Sequence, residues 1–199
     1  MYPLFETIRV ENGIPMHLEW HQKRMEASCL DYFEEKPSLD LEKIIVLPEP
    51  YRKGIVKARL LYNTTDYSLS FAIYTPRNVR SLCLAYDDTI DYGHKYSERR
   101  RLTVLLEQSG VCDDILIIKN GMVTDTSFTN ILFSDGEKWV TPDTPLLKGT
   151  CRERLLYENK ISEATIRKED IQDYDHYMLI NAMLDFDPSR ALDIRSIRM

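Results

Sequence analysis

The sequence predicts an α+β protein, because segments with strand-like alternation of apolar residues are interspersed with segments of helical spacing. Its 199 residues suffice for one large domain or two small ones. No glycine-rich motif of a nucleotide-binding fold follows any predicted strand. Residues 87–94 are polar and irregular, so we expect them to connect two domains. The expected domains are therefore residues 1–88 and residues 89–199, the second of them rich in strands.

The N-terminal half contains the patterns of a hairpin, a long helix and three further strands. Asn12-Gly13 is a hairpin turn signal between alternating apolar positions. The predicted strands are Met1–Val10, Ile14–Leu18, Gly54–Tyr62, Tyr67–Tyr74 and Val79–Tyr86, and the predicted helices are Glu19–Tyr32 and a short one between Pro37 and Pro48.

The C-terminal half begins with a predicted helix that Gly110 ends and continues as a run of strands joined by tight turns. Its predicted helices are Ser97–Gln108 and Thr150–Glu158, with a helical turn at Lys168–Gln172. Its predicted strands are Ile115–Ile118, a strand carrying Asp125, Asn130–Phe133, Trp139–Thr141, Ile161–Ile166 and Tyr177–Ile180.

The composition excludes several classes of function. The net charge of -6 disfavours a general nucleic-acid binder, which needs an excess of cations on one face. No apolar run is long enough to span a bilayer or to form a signal segment, so a cytoplasmic protein is expected. The four histidines form no ligand cluster, and no metal site is predicted. The four cysteines lie far apart, and we expect free thiols.

Lys95 is the first candidate catalytic residue. A lysine amine can act as a nucleophile when it is partly desolvated or lies near another cation. If Lys95 and Arg99 share a helix, their i,i+4 spacing places a cation beside the amine and lowers its pKa. A solvated surface lysine is the alternative interpretation of the same residue.

Asp125 and the segment Gly149-Thr150-Cys151 are the other chemical candidates. An acid within a strand pattern is unusual, and Asp125 is either a turn or surface acid or a partner for a cofactor's ring nitrogen. Gly149-Thr150 opens a predicted helix whose amides can bind an anion, although Thr150 is also a plausible cap. Asn130 is interpreted as a hydrogen-bonding residue that holds the loop after Asp125.

These elements, in this order, resemble the class IV aminotransferase family, the fold-type-IV enzymes that use pyridoxal phosphate (PLP). The matching motifs cover most of the chain. They are Phe5-Glu6-Thr7-Ile8-Arg9 with Asn12-Gly13, His21-Gln22-Lys23-Arg24 as an HxxR motif, Gly121 to Asp125 with Asn130, Trp139-Val140-Thr141-Pro142, Leu147 to Arg152, and Leu179-Ile180-Asn181-Ala182. Asp125 stands where the family usually has Glu, and the N-terminal part is shorter than usual.

The resemblance implies a two-domain fold similar to D-amino-acid aminotransferase and a role for each matched residue. Lys95 corresponds to the lysine that forms a Schiff base with PLP, and Asp125 to the acid at the pyridine nitrogen. The other implied cofactor contacts are Arg24, Gly149, Thr150, Cys151, Asn181 and Ala182. Arg59 and Arg99 are candidate contacts for a substrate carboxylate. The resemblance also implies a homodimer.

The resemblance does not by itself choose a reaction, because PLP chemistry is shared up to proton abstraction. The compact size and the segment from Thr141 to Arg152 are more similar to the 4-amino-4-deoxychorismate lyases, which release pyruvate and leave p-aminobenzoate for folate synthesis. An amino-acid transaminase of the branched-chain or D-amino-acid type is the first alternative. A non-catalytic relative that serves as a binding module is the second.

Overall fold

A computed structural model describes residues 2–199 of the chain. Contacts divide it into two compact units. The first comprises Met1–Pro76 with His94–Glu98, and the second comprises Arg77–Gly93 with Arg99–Met199. Met1, which the first predicted strand included, lies outside the described residues. None of the helices within residues 2–199 combines the length and the apolar character needed to cross a membrane.

The first unit is an antiparallel sheet of four strands covered by one long helix. The elements are β1 (Leu4–Glu11), β2 (Ile14–Pro15), α1 (Leu18–Phe33), α2 (Leu41–Ile44), β3 (Ile55–Tyr62) and β4 (Tyr67–Ile73), with the strand order β2-β1-β3-β4. The Asn12-Gly13 turn is confirmed, and both of its residues have positive φ, 48° and 87°, as a tight hairpin requires. The predicted long helix and the β3–β4 hairpin are also confirmed.

The core of this unit follows from strand alternation. Every second residue of β1 and β3 faces α1. The fully buried side chains on this face include Leu4, Ile8 and Val10 of β1, Val56, Ala58, Leu60 and Tyr62 of β3, and Met25 and Cys29 of α1. The same alternation places Glu6 in the core, where a carboxylate is costly unless it is paired.

Residues 94–98 return to the first unit as an extended segment beside β1. Tyr96 forms an antiparallel bridge with Leu4. The amide of Phe5 donates to the carbonyl of Lys95 at 3.0 Å, and the amide of Ser97 donates to Pro3 at 2.7 Å. Because these backbone groups are used for strand pairing, the helix predicted from Ser97 begins only at Arg100. The expected helical i,i+4 relation between Lys95 and Arg99 is therefore wrong.

The second unit contains two sheets, two α-helices and three short 3-10 helices, the first of which, Lys168–Asp173, is the predicted helical turn. Its elements are β5 (Leu82–Tyr86), α3 (Arg100–Ser109), β6 (Asp114–Lys119), β7 (Met122–Thr126), β8 (Asn130–Ser134), β9 (Trp139–Pro142), α4 (Thr150–Tyr157), β10 (Ser162–Ala164), β11 (His176–Ile180), β12 (Leu192–Asp193) and β13 (Ile197–Arg198). The sheets have the orders β13-β5-β6-β7 and β10-β9-β8-β11-β12.

One apolar cluster joins these two sheets. It includes Leu116 and Ile118 of β6, Val123 of β7, Ile131 and Phe133 of β8, and Tyr177 of β11. Helix α4 crosses from β9 to the parallel strand β10, as a parallel connection requires. This apolar cluster and the β9–α4–β10 connection therefore fix the ends of β7 and β9 and the start of α4.

Cys83 and Cys112 form a disulfide, which corrects the expectation of four free thiols. Parallel pairing of β5 with β6 sets Cys83 opposite Ile115, and Cys112 lies three residues before Ile115. The two Cα atoms are consequently 5.6 Å apart, within the usual range for a disulfide. Cys29 and Cys151 are free and buried.

Candidate functional site

Three charged or polar side chains meet in the core of the first unit. Glu6 projects from β1 towards α1, and His21 and Arg24 lie three residues apart on the facing side of that helix. Nε of Arg24 donates to Oε1 of Glu6 at 2.8 Å, and Nη2 donates to Oε2 at 2.5 Å. Nδ1 of His21 lies 2.7 Å from the same Oε2. Glu6 thus binds Arg24 with both oxygens and His21 with one.

The charge states of this cluster follow from its burial and its partners. Burial opposes ionisation of Glu6, but the charge of Arg24 and the hydrogen bonds of His21 and Arg24 prevail and lower the pKa of Glu6 to about 2. Burial lowers the pKa of His21, and although Glu6 opposes that effect, the charges of Arg24 and Lys95 reinforce it. At neutral pH the cluster therefore contains a carboxylate, a guanidinium and a neutral imidazole.

Lys95 and Arg59 share one aromatic side chain of β1. Nζ of Lys95 lies 4.9 Å from the ring centroid of Phe5, and Cζ of Arg59 lies 4.7 Å from the same centroid. The ring of Phe5 is 6% exposed, so it forms a rigid apolar support for both cations. Phe5 and Glu6 are adjacent in β1. Because successive side chains of a strand alternate, Phe5 with Arg59 and Glu6 with Arg24 lie on opposite faces of β1. The charges of Lys95 and Arg24 both act on His21.

The segment 94–98 is held in place by its side chains as well. Nε2 of His94 lies 2.9 Å from Oδ2 of Asp31 near the end of α1. The ring of Tyr96 packs edge-on against His94 and Tyr32, with centroid distances of 5.6 and 6.1 Å. These contacts on both sides of Lys95 fix its backbone.

In the second unit, Asp125 is buried on β7, and both of its oxygens are bonded. Oδ1 accepts from Nδ2 of Asn130 at 2.8 Å, and Oδ2 accepts from the amide of Leu147 at 2.9 Å. Burial raises the pKa of Asp125 to about 6, and these two hydrogen bonds oppose the rise. Nδ2 of Asn130 also donates to the carbonyl of Leu147 at 2.9 Å. Asn130 thus bonds back to Asp125 across the predicted loop, and both residues also hold a second loop, the one before Gly149, through Leu147.

Gly149 ends this loop at the point where α4 begins. A Cβ at this position would collide with Oδ1 of Asn130 and lie 3.2 Å from its Cγ. Because glycine has no side chain, nothing on residue 149 caps the first amides of the helix. An uncapped helix start with its positive dipole end suits an anion such as a phosphate.

Arg152 is a further residue of this region, which the sequence indicated only as part of a motif. Its side chain is 1% exposed. Nη2 donates to the carbonyl of Pro142 at 2.9 Å and to Glu163 at 2.5 Å, and Nη1 donates to Glu153 at 2.6 Å. Arg152 therefore ties the first turn of α4 to β9 and β10.

The side chains of Cys151 and Asn181 are already bonded to other groups of the second unit, and Nδ2 of Asn181 donates to the carbonyl of Phe128 at 3.3 Å. Sγ of Cys151 lies 3.6 Å from Oδ1 of Asp185, which Arg154 also binds. Burial raises the pKa of the Cys151 thiol to about 12, so it stays neutral. Oδ1 of Asn181 accepts from the amides of Met183 and Leu184 at 2.8 and 3.0 Å. Because its thiol is neutral and bonded to Asp185, Cys151 can bind an anion only through its backbone amide.

Ala182 follows Asn181 in the same turn and offers only backbone groups. Arg99, the other candidate substrate contact, precedes α3 and donates to the carbonyl of Ser127. The structure thus collects Arg24, Arg59 and Lys95 in the first unit. Asp125, the start of α4, the 181–182 turn and Arg99 lie in the second.

The signal for Glu6 and His21 was present in the sequence. The core-facing register of β1 runs Leu4, Glu6, Ile8, and an acid at such a position implies a buried cationic partner. His21 and Arg24 were identified only through the motif that they begin and end. The contacts made by Arg152 could not be predicted, since they depend on the parallel pairing of β9 and β10.

The donors present fit PLP chemically. The first unit supplies an amine and an oriented guanidinium. The second supplies a buried carboxylate, suited to a protonated ring nitrogen, and a helix start suited to a phosphate. Asp125 can accept a further bond, because each carboxylate oxygen has two lone pairs.

Comparison with known proteins agrees with this chemistry. The family model described as "Amino-transferase class IV" matches residues 96–192. An uncharacterized protein of Haemophilus influenzae Rd is 43% identical over 185 residues, which are 92% of this chain and 98% of that protein. A crystal structure from Haemophilus somnus 129PT, a "putative 4-amino-4-deoxychorismate lyase", is 39% identical with a TM-score of 0.87, and the match covers 94% of this chain and 98% of that one.

A more distant structure carries the cofactor. The PLP-bound form of a hypothetical aminotransferase from Mycobacterium tuberculosis is 16% identical with a TM-score of 0.76, and the match covers 98% of this chain and 81% of that one. At this identity the similarity shows the fold alone. The α+β fold expected from the motifs is confirmed. The chain belongs to the class IV aminotransferase family, whose members use PLP.

Proposed function

We propose that this protein is a PLP-dependent enzyme that acts as a 4-amino-4-deoxychorismate lyase, releasing pyruvate and forming p-aminobenzoate. The observation that carries the PLP part is that neighbouring residues of β1 hold both cations: the backbone of Lys95 bonds Phe5, and Arg24 bonds Glu6. The lyase part is supported by the 39% identity to the Haemophilus somnus structure that bears this description.

The proposed roles follow from the contacts of each residue. Arg24 and the amides of Thr150 and Cys151 would neutralise the phosphate. The amide of Ala182 would be a further donor, whereas the amide of Asn181 already donates to the carbonyl of Leu184 at 3.0 Å. Asp125 would accept from the ring nitrogen. Its pKa is raised to about 6 by burial, and a cation at its oxygens would keep it ionised. When bound, PLP would supply an electron-withdrawing ring that stabilises negative charge on the substrate.

Lys95 would hold the cofactor covalently and then transfer a proton as general base and general acid. Its ammonium already lies over an aromatic ring on a backbone fixed by β1, which limits its positions. Arg59 is the better candidate for a substrate carboxylate, because its exposed guanidinium lies over the same ring. Arg99 already donates to a backbone carbonyl.

The PLP part is tested by adding PLP to the purified protein. We expect a yellow product whose imine absorbance disappears with borohydride. Lys95→Ala should lose the band, and Lys57→Ala, on β3 of the same unit, should retain it. A wild-type protein that takes up no PLP would favour the non-catalytic alternative.

The reaction is tested by supplying chorismate and an enzyme that converts it to aminodeoxychorismate. We expect equal amounts of pyruvate and p-aminobenzoate. If neither forms while amino groups are exchanged between common amino and keto acids, the lyase assignment is wrong and the transaminase alternative holds.

A further inference from the structure

Glu6 stands out among the buried acids because all of its partners belong to one helix. Its side chain is fully buried, and it lies between Leu4 and Ile8 in the core-facing register of β1. A carboxylate in such a place persists only when it is paired. Its pairing with Arg24 is bidentate, and this geometry fixes the plane of a guanidinium as well as its position.

His21 contributes the third bond of the cluster. Its ring is buried, with 1% exposure. A neutral imidazole has one N–H, and a bond to a carboxylate requires that proton on Nδ1. His21 therefore donates to Oε2 of Glu6, the oxygen that also accepts from Nη2 of Arg24. This bond restrains the carboxylate without adding a second positive charge to the core.

We propose that Glu6 and His21 are positioning residues that orient Arg24 towards the phosphate of PLP. The inference rests on the proposed function and extends it. A guanidinium has five N–H groups, and two of them, one on Nε and one on Nη2, donate to Glu6. A guanidinium that is already fixed loses less conformational entropy when an anion binds. The bond between Glu6 and Arg24 therefore strengthens phosphate binding, even though Glu6 itself carries a negative charge.

The test compares PLP with pyridoxal, which has the same ring and aldehyde but no phosphate. In Glu6→Gln the amide cannot accept both N–H groups of Arg24. We expect the Kd for PLP to rise roughly three- to tenfold, the scale of the entropy cost of immobilising one long side chain. The Kd for pyridoxal should stay within about twofold of wild type. In an Arg24→Ala background, Glu6→Gln should add no further loss.

His21 provides a second pair of variants, which keeps the test decisive if Glu6→Gln fails to fold. The amide nitrogen of His21→Asn can replace the Nδ1 donor, whereas His21→Leu removes it. We expect PLP affinity to survive in His21→Asn and to fall in His21→Leu, with pyridoxal affinity unchanged in both.

The outcomes separate the two proposals. A wild-type protein that binds neither compound contradicts the proposed function. A wild-type protein that binds PLP, with Glu6→Gln and His21→Leu binding it equally well, overturns the positioning inference alone. Equal losses for PLP and pyridoxal also overturn it, because they would indicate a general structural role.

Discussion

At the scale of single residues, the least expected finding is the structural role of Asp125. Through Asn130 and Leu147 it holds the loop that leads to Gly149 and α4. The sequence showed an acid in a strand and offered a surface acid or a cofactor contact. The loop-holding role depends on contacts with residue 147, 22 positions away, which a local pattern does not contain.

The raised pKa of Asp125 predicts a specific pH dependence. Its pKa rises from the ordinary value of 3.8 to about 6 in the fold, so the folded state binds this proton more tightly. Below pH 4 the buried Asp125 is protonated in both states and does not lower the free energy of unfolding. Between pH 4 and pH 6 the unfolded state loses this proton first, so Asp125 lowers the free energy of unfolding increasingly. Two pKa units correspond to about 3 kcal/mol. Relative to wild type, Asp125→Asn should therefore gain stability between pH 4 and pH 7.

This prediction is checked by urea unfolding of the cofactor-free protein at a series of pH values. Trp139 lies in the same unit as Asp125, and a Trp20→Phe background leaves it as the fluorescent reporter. A difference between the two proteins that stays constant from pH 4 to pH 7 would contradict the assigned pKa.

Gly149 is predicted to tolerate no side chain. Because the added methyl group of Gly149→Ala would collide with Asn130, we expect a loss of roughly 1–3 kcal/mol in the free energy of unfolding, as for other overpacked sites. Gly93→Ala is the matched control, since its Cβ would lie at an ordinary 3.8 Å from Asp91. Equal stability of the two variants would show that the loop adapts freely.

At the scale of secondary-structure elements, most of the chain could be predicted. Alternation and helical spacing located α1, β3, β4 and α4, because each has one buried face or begins after a clear signal. The start of α3 was misplaced. Residues 94–98 have helix-compatible side chains, but their backbone pairs with β1, and such a tertiary contact overrides local propensity.

The disulfide also belongs to this scale, since it ties β5 to the connection between α3 and β6. It closes a loop with a sequence separation of 29, for which loop-closure entropy gives about 3 to 4 kcal/mol. We expect dithiothreitol to lower the urea midpoint of the wild type, but not that of a Cys83→Ser/Cys112→Ser variant.

A count of thiols provides an independent check. In denaturant without reductant, only the thiols of Cys29 and Cys151 should react. Four reactive thiols in protein purified without reductant would show that the original expectation of free cysteines was correct.

At the scale of the whole molecule, the order of the motifs predicted the family and the fold. The residues proposed to bind the cofactor would serve a lyase and a transaminase equally, and for this reason they do not reveal the substrate. Under the proposed function, substrate choice would depend on groups such as Arg59, whose position over Phe5 follows from the pairing of β1 with β3.

The homodimer implied by the resemblance stays a prediction. Sedimentation equilibrium of the PLP-loaded protein should give about twice the 23.4 kDa of one chain. A mass of one chain at all concentrations tested would contradict it.

The central claim is that Lys95 holds PLP. Its most direct test is to treat the PLP-loaded protein with borohydride, digest it, and locate the added mass by peptide sequencing in a mass spectrometer. We predict a single pyridoxyl phosphate group on Lys95. A group on another lysine, or its scattering over several surface lysines, would contradict the assignment.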